Sequence, residues 1–198
     1  MSDPRQLAFW EGEEAELWNA MYSLIMVTVM DGVKEGVEGL PANYRVLADW
    51  NVVNKDALDF ARTYRYDLIK KITDTTRETV IRAITDWINE GSPLDALTAR
   101  LEPIFGDVRA EMIAITETTR AYAQGNQIAW ESTGVVGSVR WQTANDDLVC
   151  PICGPLNNTE IGIGDKDAMP PAHPRCRCWT QPVVSEEASK RKFSEIFK

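Results

Sequence analysis

The sequence predicts a mainly helical α+β protein, with a long-helix N-terminal bundle followed by a small zinc-stabilised module of strand and loop. Three observations predict it. Apolar residues recur at helical spacing through most of residues 6–132. After Gly134 and Gly137 the texture changes, and a short alternating run of β-branched and aromatic residues replaces the helical pattern. Finally, all four cysteines and the only histidine fall between Cys150 and Cys178. Three regions are expected: a helical region over 1–106, a domain with a long helix and a metal knuckle over 107–184, and a charged tail over 185–198.

The first helix is expected over 6–39. Leu17, Met21, Leu24 and Thr28 form one stripe, and Trp18, Tyr22, Ile25 and Val29 form a second beside it. A helix apolar around so much of its circumference is a buried one, packed between helices or subunits. Gly36, Gly39 and Pro41 are read as its end. Residues 43–53 read as a connector. Asn54 reads as the N-cap of a helix reaching Glu90, with Leu58, Ala61, Leu68, Ile72, Val80, Ile84 and Trp87 at helical period. Gly91 closes it. Ser92 then caps a short helix with Pro93 at its first position, and Pro103 and Gly106 break that helix.

The third long helix is expected over 107–132, with Val108, Met112, Ile115, Tyr122 and Ala129 on one face. Glu117 and Arg120 are three apart, the spacing of a solvated surface ion pair. Residues 139–143 read as a strand, Asp146 and Asp147 as a turn, and 157–171 as a polar Gly- and Pro-rich loop. Residues 176–184 read as a returning strand that pairs near Trp141, and 185–198 as a short helix or a frayed tail.

The candidate site is Cys150-Pro-Ile-Cys153, nineteen residues, then His173-Pro-Arg-Cys176-Arg-Cys178. Zinc takes four ligands in a tetrahedron, from thiolate sulfur and imidazole nitrogen. The Cys-x-x-Cys turn brings two thiolates to one ion, and Pro151 stiffens it. Cys150, Cys153 and Cys176 are read as ligands, and the fourth place falls to His173 or Cys178. The expected cofactor is one structural Zn2+ per chain. Disulfides are the competing use of four cysteines, but no secretory pattern precedes them.

The net charge of -9 argues against a broad nucleic-acid surface, because phosphate binding needs clustered Lys and Arg. The longest apolar run, 24–30, is too short to span a bilayer.

Three pieces occur in a familiar order: Thr116-Glu117-Thr118-Thr119-Arg120-Ala121-Tyr122 with Gly125 close behind; Val139-Arg140-Trp141 leading through Asp146 or Asp147 to Cys150-Pro-Ile-Cys153; and Pro170-Pro171-Ala172-His173-Pro174-Arg175-Cys176-Arg177-Cys178. Over about 107–184 this resembles the phage head morphogenesis family, the minor head proteins similar to the F protein of phage Mu. The resemblance implies a minor capsid protein of a tailed bacteriophage that acts in prohead assembly and in DNA packaging or delivery. Its implied partners are phage portal and capsid proteins. From the residues themselves, phage DNA is expected to be contacted weakly if at all, no membrane is expected, and the apolar first helix allows oligomer contacts through the N-terminal helices. Its implied place is the virion head, after assembly in the host cytoplasm. The family's Cys and His positions carry over to Cys150, Cys153, His173, Cys176 and Cys178. Glu117 and Tyr122 match its helix signature.

Two other readings compete. A zinc-dependent hydrolase or nuclease needs an open coordination place and a base. The His-x-Glu and His-Glu-x-x-His patterns of such sites are absent, and Asp146, Asp147 and Glu117 read as turn and surface residues. No catalysis is therefore expected. A small DNA-binding zinc module would use Arg140, Arg175 and Arg177, which against this acidic balance give only weak, salt-sensitive binding.

Overall fold

The computed structural model describes residues 14–64, 74–165 and 169–196. These residues form seven α-helices and one three-stranded antiparallel sheet, the mainly helical α+β class that the sequence predicts. The helices are α1 (Glu14–Glu38), α2 (Ala42–Arg45), α3 (Trp50–Thr63), α4 (Asp74–Glu90), α5 (Leu94–Phe105), α6 (Asp107–Thr133) and α7 (Glu186–Ile196). The strands are β1 (Val136–Gln142), β2 (Glu160–Gly162) and β3 (Trp179–Val184). Among the described residues, no helix is long and apolar enough to cross a membrane.

The central pair is α1 against α6. Met21, Leu24, Ile25, Thr28 and Val29 are buried, as the two stripes predict; the side chains of Leu17 and Trp18 lie outside the described residues. Small residues let the two backbones touch. A Cβ added at Gly32 would sit 2.2 Å from the Tyr122 carbonyl oxygen, and one at Gly125 would sit 2.1 Å from the Val29 carbonyl oxygen. One turn along, Gly36 lies against Asn126 and Ala129, and the buried Trp130 indole donates to the Gly36 carbonyl at 2.9 Å. Gly36 therefore makes a helix contact rather than ending the helix, which runs on to Glu38.

The same close approach decides which face of α6 is buried. Ala110, Ile113, Ala114, Ala121 and Ala129 fill it, whereas Val108 is 62% exposed and Met112, Ile115 and Tyr122 are half-buried. Bulk pointed to the neighbouring face; contact distance selected the small residues. Glu117 is also on the inside. It is 2% exposed and accepts a hydrogen bond from the Tyr64 hydroxyl, so the expected surface pair with Arg120 is overturned.

Helix α3 begins four residues before the expected cap. Asp49, not Asn54, is the N-cap, and its carboxylate accepts from the amides of Asn51 (3.0 Å) and Val52 (3.3 Å). The single helix expected over 54–90 is interrupted, since α3 ends where Tyr64 turns extended (ψ 131°). Leu68 and Ile72 lie outside the described residues, while Ala61, Val80 and Ile84 are buried as the period predicts. Ser92 does not cap α5. Its hydroxyl donates to Glu90, and Pro93 holds the cap position. Pro103 is tolerated inside α5, which ends at Gly106 with φ 78°. The terminal segment is helical through Ile196, opened by Ser185, whose hydroxyl accepts from the Ala188 amide.

The sheet order is β2-β1-β3, with Trp141 opposite Thr180 as expected. Strand β3 begins at Trp179, so Cys176 and Cys178 lie in the loop before it rather than on an extended strand. Strand β2 falls inside the segment expected to be all loop and pairs Ile161 with Val139. Successive inward residues of β1 serve different cores. Val136 and Val139 join the helical core, and Trp141 packs with Cys153, Cys176 and Cys178 in a second, smaller cluster.

Candidate metal centre

The first half of the site is a turn held by its own backbone. The Asp146 side chain accepts from the Leu148 amide (3.0 Å), and the Asp146 carbonyl accepts from the Val149 amide (3.1 Å). The Cys153 amide then points at the Cys150 sulfur (3.3 Å), and the Gly154 amide closes on the Cys150 carbonyl (2.9 Å). Beyond it, the Asn158 amide donates to the Trp141 carbonyl (2.8 Å), which ties the turn to β1.

The second half is fixed from α6 and from the first half. The Cys176 amide donates to the His173 carbonyl (3.2 Å), closing a tight turn around Arg175, whose φ is +62°. The Arg175 amide donates to the Thr116 hydroxyl (2.9 Å), and the Thr119 hydroxyl donates to the Cys176 carbonyl (3.2 Å). The Arg175 guanidinium reaches the Val108 carbonyl and the Glu111 carboxylate. Arg177 grips Asp146 with two 2.9 Å bonds, joining the two halves across the sheet end.

The five predicted donors fall into two groups that share Cys153. His173 Nε2 lies 3.0 Å from the Cys150 sulfur and 3.2 Å from the Cys153 sulfur, and the Cys153 and Cys176 sulfurs are 3.8 Å apart. The donors form two trios, Cys150/Cys153/His173 and Cys153/Cys176/Cys178, each with its ligand atoms within 4.8 Å of one another. Cys153 belongs to both. Either trio could hold a metal ion. No disulfide joins any of the four cysteines.

Several features fit a soft dication. A tetrahedral ion with bonds of about 2.3 Å to sulfur sets its sulfurs about 3.8 Å apart, the separation of Cys153 and Cys176. His173 Nδ1 lies 2.7 Å from the Pro174 carbonyl, which can only accept. The Nδ1 proton is therefore fixed there, and in the neutral ring Nε2 turns a bare lone pair toward two sulfurs. Metal-bound histidines are oriented by such a bond. The buried Trp141 indole N–H has no hydrogen-bonded partner among the described residues, and it packs in the same small cluster as Cys178.

The electrostatics point the same way. Burial pushes the Cys153 thiol well up, and the neighbouring Cys178 and Cys150 sulfurs push it further. Burial also raises Cys178, and the neighbouring Cys153 and Trp141 side chains offset part of that rise. Cys150, on the open side, is held below its ordinary value, first by the Cys153 amide. A cation placed among these sulfurs reverses the penalty of burial and lets them ionise.

Four residues that matter here escaped the sequence reading in these roles: Trp141, Thr116, Thr119 and Glu111. The familiar helix piece took in Thr116 and Thr119 and the familiar strand piece took in Trp141, while nothing marked Glu111. Arg140, Arg175 and Arg177, considered for phosphate, each meet a carboxylate: Glu160 at 3.8 Å, Glu111, and Asp146.

No curated protein and no solved structure matches the chain. One family does. The match spans residues 78–181, more than half the chain, from within α4 to within β3, and takes in every donor of the candidate centre. The chain belongs to the family described as Phage Mu protein F like protein, and is a phage head morphogenesis protein.

Proposed function

We propose that the chain is a minor head component of a tailed bacteriophage, portal-associated, acting in prohead assembly and in DNA packaging or delivery. In this reading it assembles in the host cytoplasm and ends in the virion. One structural Zn2+ is held by Cys150, Cys153, His173 and Cys176, with Cys178 as a fifth donor close by. The observation that carries the zinc reading is the clamped imidazole: Pro174 fixes Nδ1, and Nε2 meets two sulfurs at 3.0 and 3.2 Å. The ion's role is to cross-link a turn and a loop whose own apolar cluster is small. The arginines around the site are already engaged by carboxylates, which favours protein partners over DNA.

Metal analysis of the purified chain is expected to give about one zinc per molecule. Cobalt substitution is expected to show thiolate charge-transfer bands with no water ligand. His173→Ala is expected to weaken the site, and full retention of the spectrum in that variant would give the fourth place to Cys178. A metal-free chain that folds and melts normally would end the zinc reading. For the assembly role, the chain is expected to co-purify with the portal ring when the two are co-expressed.

A further inference from the structure

The family signature Thr116-Glu117-Thr118-Thr119 has a physical use in this chain that lies outside the ligand set. Thr116 and Thr119 are three apart on α6 and present their hydroxyls to the loop. The first accepts from the Arg175 amide at 2.9 Å, and the second donates to the Cys176 carbonyl at 3.2 Å. The two bonds fall on consecutive residues, one of them a ligand and the other two residues after His173. Thr118 behaves differently, for its hydroxyl turns back on its own helix, to the Ala114 carbonyl at 2.6 Å.

The peptide that the threonines grip is the one the loop would least readily hold alone. Arg175 sits at φ +62°, a region that side chains other than glycine rarely adopt. That conformation reverses the chain between His173 and Cys176, so that the Cys176 amide reaches the His173 carbonyl. Backbone strain of this kind persists only where its surroundings over-determine it. Thr116 is 2% exposed, so its hydroxyl is fixed and water does not compete for the Arg175 amide.

We propose that Thr116 and Thr119 are positioning residues of the metal centre. Through them, α6 holds the His173–Cys176 turn in ligand geometry before metal binds. This rests on the zinc reading above, and the test separates the two. Cobalt affinity would be measured by chelator competition on the full chain for wild type, Thr116→Val, Thr119→Val, Thr116→Ser and Thr118→Val. Loss of a group that orients a metal ligand lowers affinity about 10–100-fold, and that loss is expected for Thr116→Val, with a smaller loss for Thr119→Val. Thr116→Ser is expected to restore affinity, and Thr118→Val to match wild type. In chelated protein, the Arg175 amide is expected to lose its hydrogen-exchange protection in Thr116→Val alone.

If wild type takes up no cobalt, the zinc reading fails and this proposal with it. If wild type binds and Thr116→Val binds within twofold of it, the positioning role alone is overturned. A threonine that only stabilised its helix would lower the melting temperature and leave the affinity of the folded fraction unchanged, which also counts against the proposal. Should Thr116→Val fail to fold, Thr119→Val decides, since that hydroxyl is only half-buried.

Discussion

An alanine at Gly125 would place its methyl carbon 2.1 Å from the Val29 carbonyl oxygen, 2.8 Å from the Val33 nitrogen and 3.0 Å from the Gly32 carbonyl carbon. All three are backbone atoms of α1, so no rotamer change relieves the contact. The helices must separate, and separation opens the buried faces of both. Overpacking a core costs about 1–3 kcal/mol and more where nothing can yield. The gain from replacing a mid-helix glycine offsets about 1 kcal/mol. With unyielding backbone on both sides the upper end of the cost applies, and the net expectation for Gly125→Ala is a loss of about 2 kcal/mol. For a chain of this size that is about 4–8 °C in melting temperature, and a large share of the roughly 5–15 kcal/mol that holds an ordinary domain together. Gly162→Ala is the control, because nothing lies within 4 Å of its added carbon. Both would be followed by circular dichroism melts and urea titration at fixed zinc, since bound metal shifts the apparent midpoint. If Gly125→Ala melts within about 2 °C of wild type, α1 and α6 are not in backbone contact, and the choice of small residues on α6 needs another cause.

Cys153→Ser removes the only donor common to both trios. It is expected to abolish cobalt charge transfer and to deprotect the amides of the cysteine-bearing loops, while the amides of α1 and α6 stay protected in hydrogen exchange. Tyr64→Phe leaves the buried Glu117 carboxylate one donor short, a change expected to cost about 1–3 kcal/mol in urea titration. The Arg177 guanidinium, through its hydrogen bonds, holds the Asp146 carboxyl below its ordinary value. The stability this lends the turn is present above the unfolded carboxylate value, about pH 4, and fades as pH falls through the depressed one. Arg177→Gln is expected to return the Asp146 titration, read by NMR, toward the ordinary range; an unmoved midpoint would mean the pair does not form in solution.

What the sequence made legible was mostly what local pattern can carry. The cysteine and histidine spacing marked the five side chains that the fold gathers into two trios. The period of α1 marked its burial, and the alternation from Val139 to Thr143 marked the strand that pairs with β3. What it hid depends on partners distant in the chain. Glu117 looked like half of a surface pair because its neighbour at three residues is Arg120; the hydroxyl that meets it inside comes from Tyr64, at the end of another helix. Pro103 looked like a breaker, but it sits near the end of α5, where it costs little of the helix ladder. Strand β2 is three residues in a Gly-rich stretch, too short for alternation to show, and it exists because β1 offers an edge. The buried face of α6 was misplaced for a related reason, since hydrophobic size is a poor guide where two backbones meet.

That last point bears on how the candidate metal centre is held. A site built on loops alone would take its geometry from the ion. Here two rigid elements reach it. Strand β1 carries Val139 into the helical core and, two residues on, Trp141 into the cysteine cluster, so the same inward face belongs to both. Helix α6 is locked against α1 at Gly125, and nine and six residues earlier it presents Thr116 and Thr119 to the turn between His173 and Cys176. The helical body therefore sets one half of the donor set, and the sheet sets the cluster beneath it. Loss of metal is then expected to loosen the loops first and reach the helices last, whereas loss of the α1–α6 contact disturbs the site from below. Melting the two classes of variant with and without chelator separates these directions: Gly125→Ala weakens cobalt binding only if α6 positions the turn, and Cys153→Ser leaves α6 in place only if the body stands without the ion.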